Sequence, residues 1–150
     1  AVAEKLDPKR TVAVDMLFGG TGRRTVMTTP ITDAKHRDAI HGLLAGDENP
    51  VTAINDSPGF IAQRIIALVV NVSCNIAQQR VASPDDINTA VKLGLNYPKG
   101  PLEFGDELGA DTILRILRGL YDFYGDPRYR PSPWLIRRAT LGVSLLTTEG

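Results

Sequence analysis

Asn55-Asp56-Ser57-Pro58-Gly59-Phe60-Ile61-Ala62-Gln63-Arg64 joins two stretches of opposite pattern. Upstream, Val51-Thr52-Ala53-Ile54 is short and β-branched, bounded by Pro50 and by Asp56-Ser57-Pro58-Gly59, as a strand between breakers is. Downstream, Phe60, Ile61, Ile65, Ile66, Leu68, Val69, Val70, Val72, Ile76 and Val81 follow a helical period, with Arg64 the only charge before Arg80. A helix so poor in charge is expected to be buried on most of its circumference. The stretch therefore marks a seam between an α/β segment and a helical domain.

On the upstream side, Thr11–Phe18 and Arg24–Thr28 read as strands, and Asp33 as the cap of a helix that runs to about Ala45 before Gly46 ends it. With Val51–Ile54 this makes three strands and one helix, too little for a doubly wound sheet, so residues 1–56 read as the trailing part of a larger α/β domain. Residues 57–150 read as helical throughout. Ser83-Pro84-Asp85-Asp86 supplies an N-cap hydroxyl, a proline at the first helical position and two carboxylates in the positive first turn. That helix carries Ile87, Ala90, Val91 and Leu93 and is expected to stop at Gly94. Pro101 opens a short helix to about Leu108, Asp111 caps one reaching Gly125, and Ser132-Pro133 opens the last. The expected result is a bundle of about five helices, with Asp126–Pro131 as a polar, stiff, basic linker.

Seventeen Lys and Arg balance seventeen Asp and Glu, so no global field draws the chain to nucleic acid or an anionic membrane. The lone Cys74 lies inside the apolar helix and reads as a small buried side chain; without a disulfide framework, a reducing compartment fits. Charges in Ala1-Val2-Ala3-Glu4-Lys5-Leu6-Asp7 occupy the place of a signal peptide's apolar core, and the Phe60–Val72 run is too short to span a bilayer. A cytoplasmic protein is expected.

The candidate sites are few. Gly19-Gly20-Thr21-Gly22 follows a strand, but Thr25 stands where a dinucleotide fingerprint needs its third glycine, and Thr25-Val26-Met27-Thr28 reads as a strand where a helix should begin. A tight turn between strands is the better reading, and no complete NAD site is expected. His36 and His41 lie five residues apart on different helical faces, which argues for surface histidines and against a shared metal. Asp85 and Asp86 are explained by capping, and Glu103, Asp106 and Glu107 by an exposed amphipathic turn. Arg115, Arg118, Arg128, Arg130, Arg137 and Arg138, interleaved with Tyr121, Tyr124, Tyr129 and Trp134, raise an RNA-binding face; zero net charge favours a solvated surface or a patch for an anionic small molecule.

Three motifs in register, Asp56-Ser57-Pro58-Gly59-Phe60-Ile61-x-x-Arg64, Ala82-Ser83-Pro84-Asp85-Asp86-Ile87-Asn88-x-Ala90 and Leu93-Gly94-Leu95-Asn96-Tyr97-Pro98-Lys99-Gly100-Pro101-Leu102-Glu103, closely resemble the C-terminal domain of the 3-hydroxyacyl-CoA dehydrogenases. The resemblance covers about residues 50–135. It implies a mainly α fold, a helical domain (57–150) preceded by a partial Rossmann-like α/β segment (1–56), pairing in dimers and helping to enclose an acyl-CoA while an NAD-binding domain performs the oxidation. In the family a histidine takes the hydroxyl proton, a glutamate orients it and an asparagine assists. Carried over, the asparagine falls on Gln63, beside Arg64; the histidine falls within Asp15–Phe18, or on Ala13 when counted back without gaps; the glutamate falls on Thr25. The resemblance thus leaves Gln63 and Arg64 as substrate-binding candidates, no catalytic residue and no metal ligand. A general base is worth roughly 10²- to 10⁴-fold in rate, so the chain alone is expected to be inactive. The pattern resembles the second, reduced copy found in tandem bacterial enzymes of this family.

Overall fold

The computed structural model describes residues 5–18 and 22–148, and the chain divides into two compact units, Ala1–Phe60 and Ile61–Gly150. In the first, β1 (Ala13–Val14), β2 (Arg24–Thr28) and β3 (Val51–Asn55) form a sheet in that order, with β1 antiparallel and β3 parallel to β2. A parallel pair needs a crossover, and α1 (Ala34–Leu44) supplies it, packing on β2 and β3.

The expected strand Thr11–Phe18 shrinks to two residues for a local reason. Asp15 Oδ1 accepts a hydrogen bond from the Leu17 N–H at 3.0 Å, an Asx turn that bends the chain out of the sheet. Asp33 sits at the N-cap of α1 as read, yet its side chain makes no capping bond. The C-terminal end is held instead by Arg24, whose guanidinium donates to the Leu44 carbonyl and to Asp47; that contact holds the Asp47 carboxyl down at about 2. Of the glycine cluster, Gly19, Gly20 and Thr21 lie outside the described residues, as do Ala1–Glu4.

The second unit consists of α2 (Ala62–Gln78), α3 (Pro84–Leu95), α4 (Pro101–Leu108), α5 (Ala110–Tyr124) and α6 (Pro133–Leu141). The unit is mainly α, as the motifs implied. Helix α2 is the hub, packed by each of the other four. Its buried face, Ala67, Val70, Cys74 and Ala77, meets Leu102 of α4, Ile113, Leu114 and Leu117 of α5 and Leu135 of α6 in one core. Burial pushes the Cys74 thiol up to about 12, so it is an inert packing group.

Helix α2 departs from expectation on its outer side. Ile61, just before the helix, and Ile65 and Val72 within it are exposed, so an apolar stripe runs along a helix expected to be covered on most of its circumference. The helix is amphipathic in position without being amphipathic in composition.

The caps follow the sequence where a side chain reaches a free amide. Ser83 accepts from the Asp86 N–H at 3.1 Å and Ser132 from the Trp134 N–H at 3.2 Å; such caps are worth about 1 kcal/mol each. Two helix boundaries differ. Gly94 does not stop α3; Asn96, left-handed at φ 54, does. Helix α5 starts from Gly109 at φ 88, while Asp111 lies in the first turn and pairs with Arg115 at 3.2 Å.

The segment Asp126–Pro131 is not a free linker. It forms a 3-10 turn, Pro127–Tyr129, with Tyr129 buried. The buried amide of Asn71 fixes the chain just beyond that turn, donating to the Arg130 carbonyl at 3.0 Å and accepting from the Ser132 N–H at 2.8 Å. A second buried amide, Asn88 on α3, accepts from the Leu102 N–H at 3.0 Å and satisfies the start of α4. Gly100 is required beside it, because a Cβ there would fall 2.3 Å from the Asn88 side chain.

Candidate functional site

The turn Pro58-Gly59-Phe60 sets the start of α2. Gly59 and Phe60 both take positive φ, 78 and 48, and the Phe60 N–H donates to the Ser57 carbonyl at 3.1 Å. Glycine adopts that backbone readily and phenylalanine does not. Two residues later α2 begins, which puts Gln63 and Arg64 in its first turn, both half-buried. Arg64 Nη2 donates to the Tyr124 hydroxyl at 3.2 Å and its guanidinium carbon lies 5.6 Å from the Tyr124 ring centroid. Tyr124 in turn packs edge-on against Phe123 at 4.9 Å and tilted against Tyr129 at 5.4 Å. Gln63 is likewise engaged. Tyr124 was not legible as a partner of Arg64, since sixty residues separate them and nothing local links the two.

The positions implied for a histidine and a glutamate fall on neighbouring strands of the first unit. The Asp15 N–H donates to the Thr25 carbonyl at 2.9 Å, immediately past the β1–β2 pairs Ala13 with Met27 and Val14 with Val26. The scaffold for two facing side chains is present, and it carries a carboxylate and a hydroxyl. Asp15 already spends one oxygen on its own turn.

The remaining candidates resolve into structure. Glu103 accepts from the Gly100 N–H at 2.7 Å and from Lys92 at 3.1 Å, which hold its carboxyl below the usual range. Asp86 accepts from the Ser83 hydroxyl at 2.6 Å and Glu107 from Lys99 at 2.6 Å. Asp106 does not sit on an exposed turn: it is half-buried and binds Ser144 and Leu145. His41 is exposed, but His36 is half-buried, with its Nε2 withdrawn from solvent. No group of three or more His, Cys, Asp and Glu that could hold a metal ion occurs among the described residues. The imagined RNA face loses its stacking platforms, because Tyr129 and Trp134 are buried and Arg138 is buried against Trp134.

The sequence profile of the 3-hydroxyacyl-CoA dehydrogenase C-terminal domain matches residues 59–145. The chain belongs to the 3-hydroxyacyl-CoA dehydrogenase family. Its similarity to 3-hydroxyadipyl-CoA dehydrogenase of Escherichia coli K12 is 43% identity over 109 residues, 73% of this chain and 23% of that protein. Against 3-hydroxybutyryl-CoA dehydrogenase of Clostridioides difficile it is 40% over 112 residues, 75% of this chain and 40% of that one. The solved 3-hydroxybutyryl-CoA dehydrogenase from Escherichia coli K12 superposes with a TM-score of 0.78 at 36% identity, over 87% of this chain and 27% of that one. The match to each of these two curated relatives spans well under half of the relative's length.

NAD, the cofactor the resemblance implies, does not fit the described residues of this chain. After Gly22 the chain enters β2 at Arg24, so the glycine-containing turn opens a strand and provides no helix N-terminus for a pyrophosphate. No helix of the described chain is long and apolar enough to cross a membrane.

Proposed function

We propose that this chain is the C-terminal portion of a cytoplasmic, NAD-dependent enzyme that oxidises a 3-hydroxyacyl-CoA to the 3-ketoacyl-CoA. Residues 1–56 are the trailing part of a Rossmann-like region and residues 57–150 a helical domain that serves dimerisation and acyl-CoA enclosure. NAD and the chemistry belong to a Rossmann domain outside this chain, and Gln63 and Arg64 face the substrate. The observation that carries this reading is the Asp15–Thr25 pairing: the family's strand scaffold is kept, while the positions of its base and orienting acid hold side chains that cannot do that work.

Two further observations support it. Val26 is the one fully buried hydrophobic side chain of the first unit among the described residues, far too little core for an independent domain. In addition, alignments of similar length fill 23% of one relative and 40% of another, so the first is nearly twice as long, as a tandem enzyme is. This chain is then the second, reduced copy.

The isolated chain is expected to give no NAD-dependent oxidation of 3-hydroxybutyryl-CoA. Measurable turnover by a clean preparation overturns the assignment of chemistry elsewhere. Titration of acetoacetyl-CoA into the whole protein tests the enclosure, with weaker binding expected for Gln63→Ala and Arg64→Ala. One observation favours a second reading, a scaffold that does not contact acyl-CoA: Arg64 is already committed to Tyr124. Unchanged affinity in both variants decides for the scaffold.

The stripe on α2 supports dimerisation. Ile61, Ile65 and Val72 are 52%, 50% and 54% exposed. With the half-buried Leu68 they are spaced four, three and four residues apart, a narrow seam suited to one facing helix. The chain is expected to self-associate at micromolar concentration by light scattering, and Ile65→Glu with Val72→Glu to yield monomers. A wild-type chain that scatters as a monomer counts against the pairing.

A further inference from the structure

The segment after α6 has no regular secondary structure, yet Leu145 is fully buried within the helical core. Its seat exists because Gly105 of α4 lacks a side chain: a Cβ there would lie 2.4 Å from Leu145 Cδ1 and 2.9 Å from Val70 Cγ1. Around that seat three side chains from two helices address the backbone of the segment. Asp106 of α4 accepts from the Ser144 hydroxyl at 2.5 Å and from the Leu145 N–H at 2.8 Å. Trp134 of α6 donates its indole N–H to the Leu145 carbonyl at 3.0 Å. Arg138 donates to the Thr147 carbonyl, with Nε at 3.0 Å.

Arg138 is the unusual member. It is 3% exposed, and its guanidinium carbon lies 3.1 Å from the Trp134 ring centroid. Burying a cation is costly unless it is well paired, and here an aromatic face and a carbonyl of the segment share that task. A carboxylate that accepts, two donors aimed at carbonyls and a leucine-sized seat between them are the elements by which a groove holds an extended peptide. The walls carry their own packing, since Val70, Leu102, Ile113, Leu117 and Leu135 are fully buried together.

We infer that Ser144–Thr148 is bound as an intramolecular peptide ligand, in a groove of the helical unit that recognises Ser-Leu-Leu-Thr and retains it in trans once the covalent link is cut. Asp106, Trp134 and Arg138 are the recognising residues, and Leu145 is the anchor.

The test uses the full chain with a specific protease site inserted between Val143 and Ser144, both exposed, and cut after folding. Trp134, the sole tryptophan, is the reporter. The cut segment is expected to co-elute with the helical unit in gel filtration and to leave the tryptophan emission unchanged. A synthetic copy of residues 144–150 should exchange with it, and the same peptide with Leu145→Ala should bind at least about tenfold more weakly. Asp106→Asn in the cut chain should release the segment and shift the emission to the red. Loss of the wild-type segment on cutting, with no recovery of emission when synthetic peptide is added, overturns the inference. So does loss of helical circular dichroism on cutting, because the groove would then not exist without its occupant.

Discussion

Replacement of Gly105 by valine is expected to lower the stability of the helical unit by about 3 kcal/mol, roughly 15 °C in Tm for a unit of this size. The clash begins at Cβ, which would stand 2.4 Å from Leu145 Cδ1 and 2.9 Å from Val70 Cγ1. Both partners are fully buried and neither has an open direction in which to move. Valine adds two methyl groups to a position that cannot take one. The comparison that isolates packing from helix propensity is Gly119→Ala on α5, where a Cβ meets nothing within 4 Å. That change is expected to be neutral or to stabilise by up to about 1 kcal/mol, since alanine is the better helix former. Equal melting temperatures for the two variants would show that the core around Leu145 is loose.

Asn71→Ala is expected to cost about 2–4 kcal/mol, read as a fall in the urea midpoint with the slope preserved. The side chain is 2% exposed and makes two bonds to backbone, one to the Arg130 carbonyl and one from the Ser132 N–H. Truncation leaves a buried acceptor and a buried donor without partners, and each such orphan costs about 1–3 kcal/mol. The loss should be local before it is global. Residues 127–132 should become sensitive to trypsin at Arg128 and Arg130 while α2 to α5 stay helical by circular dichroism. Asn71→Asp should be little better than alanine, because a carboxylate keeps the acceptor but turns an oxygen toward the Arg130 carbonyl. A variant that unfolds at the wild-type urea concentration, with an intact 127–132 segment, would remove Asn71 from this role.

Much of the helical architecture was legible because its punctuation is chemical. Ser83-Pro84 and Ser132-Pro133 announce helix starts by a hydroxyl and a fixed φ, and both act as read. Proline at 101 and glycine at 125 bound α4 and α5 in the same way. The misreadings lie where two local signals compete. Gly94 and Asn96 can each end a helix, and α3 runs through the glycine to Leu95 before Asn96 turns left-handed. Gly109 and Asp111 can each start one, and the backbone at φ 88 favours the glycine. In the first unit the β-branched run Thr11–Val14 promised a longer strand than the Asp15 turn permits.

The candidate site was legible in a different sense. Pro58-Gly59-Phe60 and the two motifs after it located Gln63 and Arg64 on the helix start, and they also located the positions where an imidazole and a carboxylate are missing. The engagement of Arg64 with Tyr124 was invisible, as was the exposed stripe on α2, because composition gives a helix its apolar residues without saying which of them a neighbour covers.

By itself the sequence determined the order and ends of most helices, the family, and which side chains stand at the family's reacting positions. These are set by neighbours along the chain and by motif spacing. Only the tertiary structure decided which polar side chains are internal. Asn71, Asn88, Asp106 and Arg138 look like surface residues in a string of letters, and each instead satisfies backbone groups of a segment nine to sixty-one residues away. The physical reason is that an unpaired amide or carbonyl in the core must find a partner wherever the fold brings one, and sequence distance carries no record of that encounter.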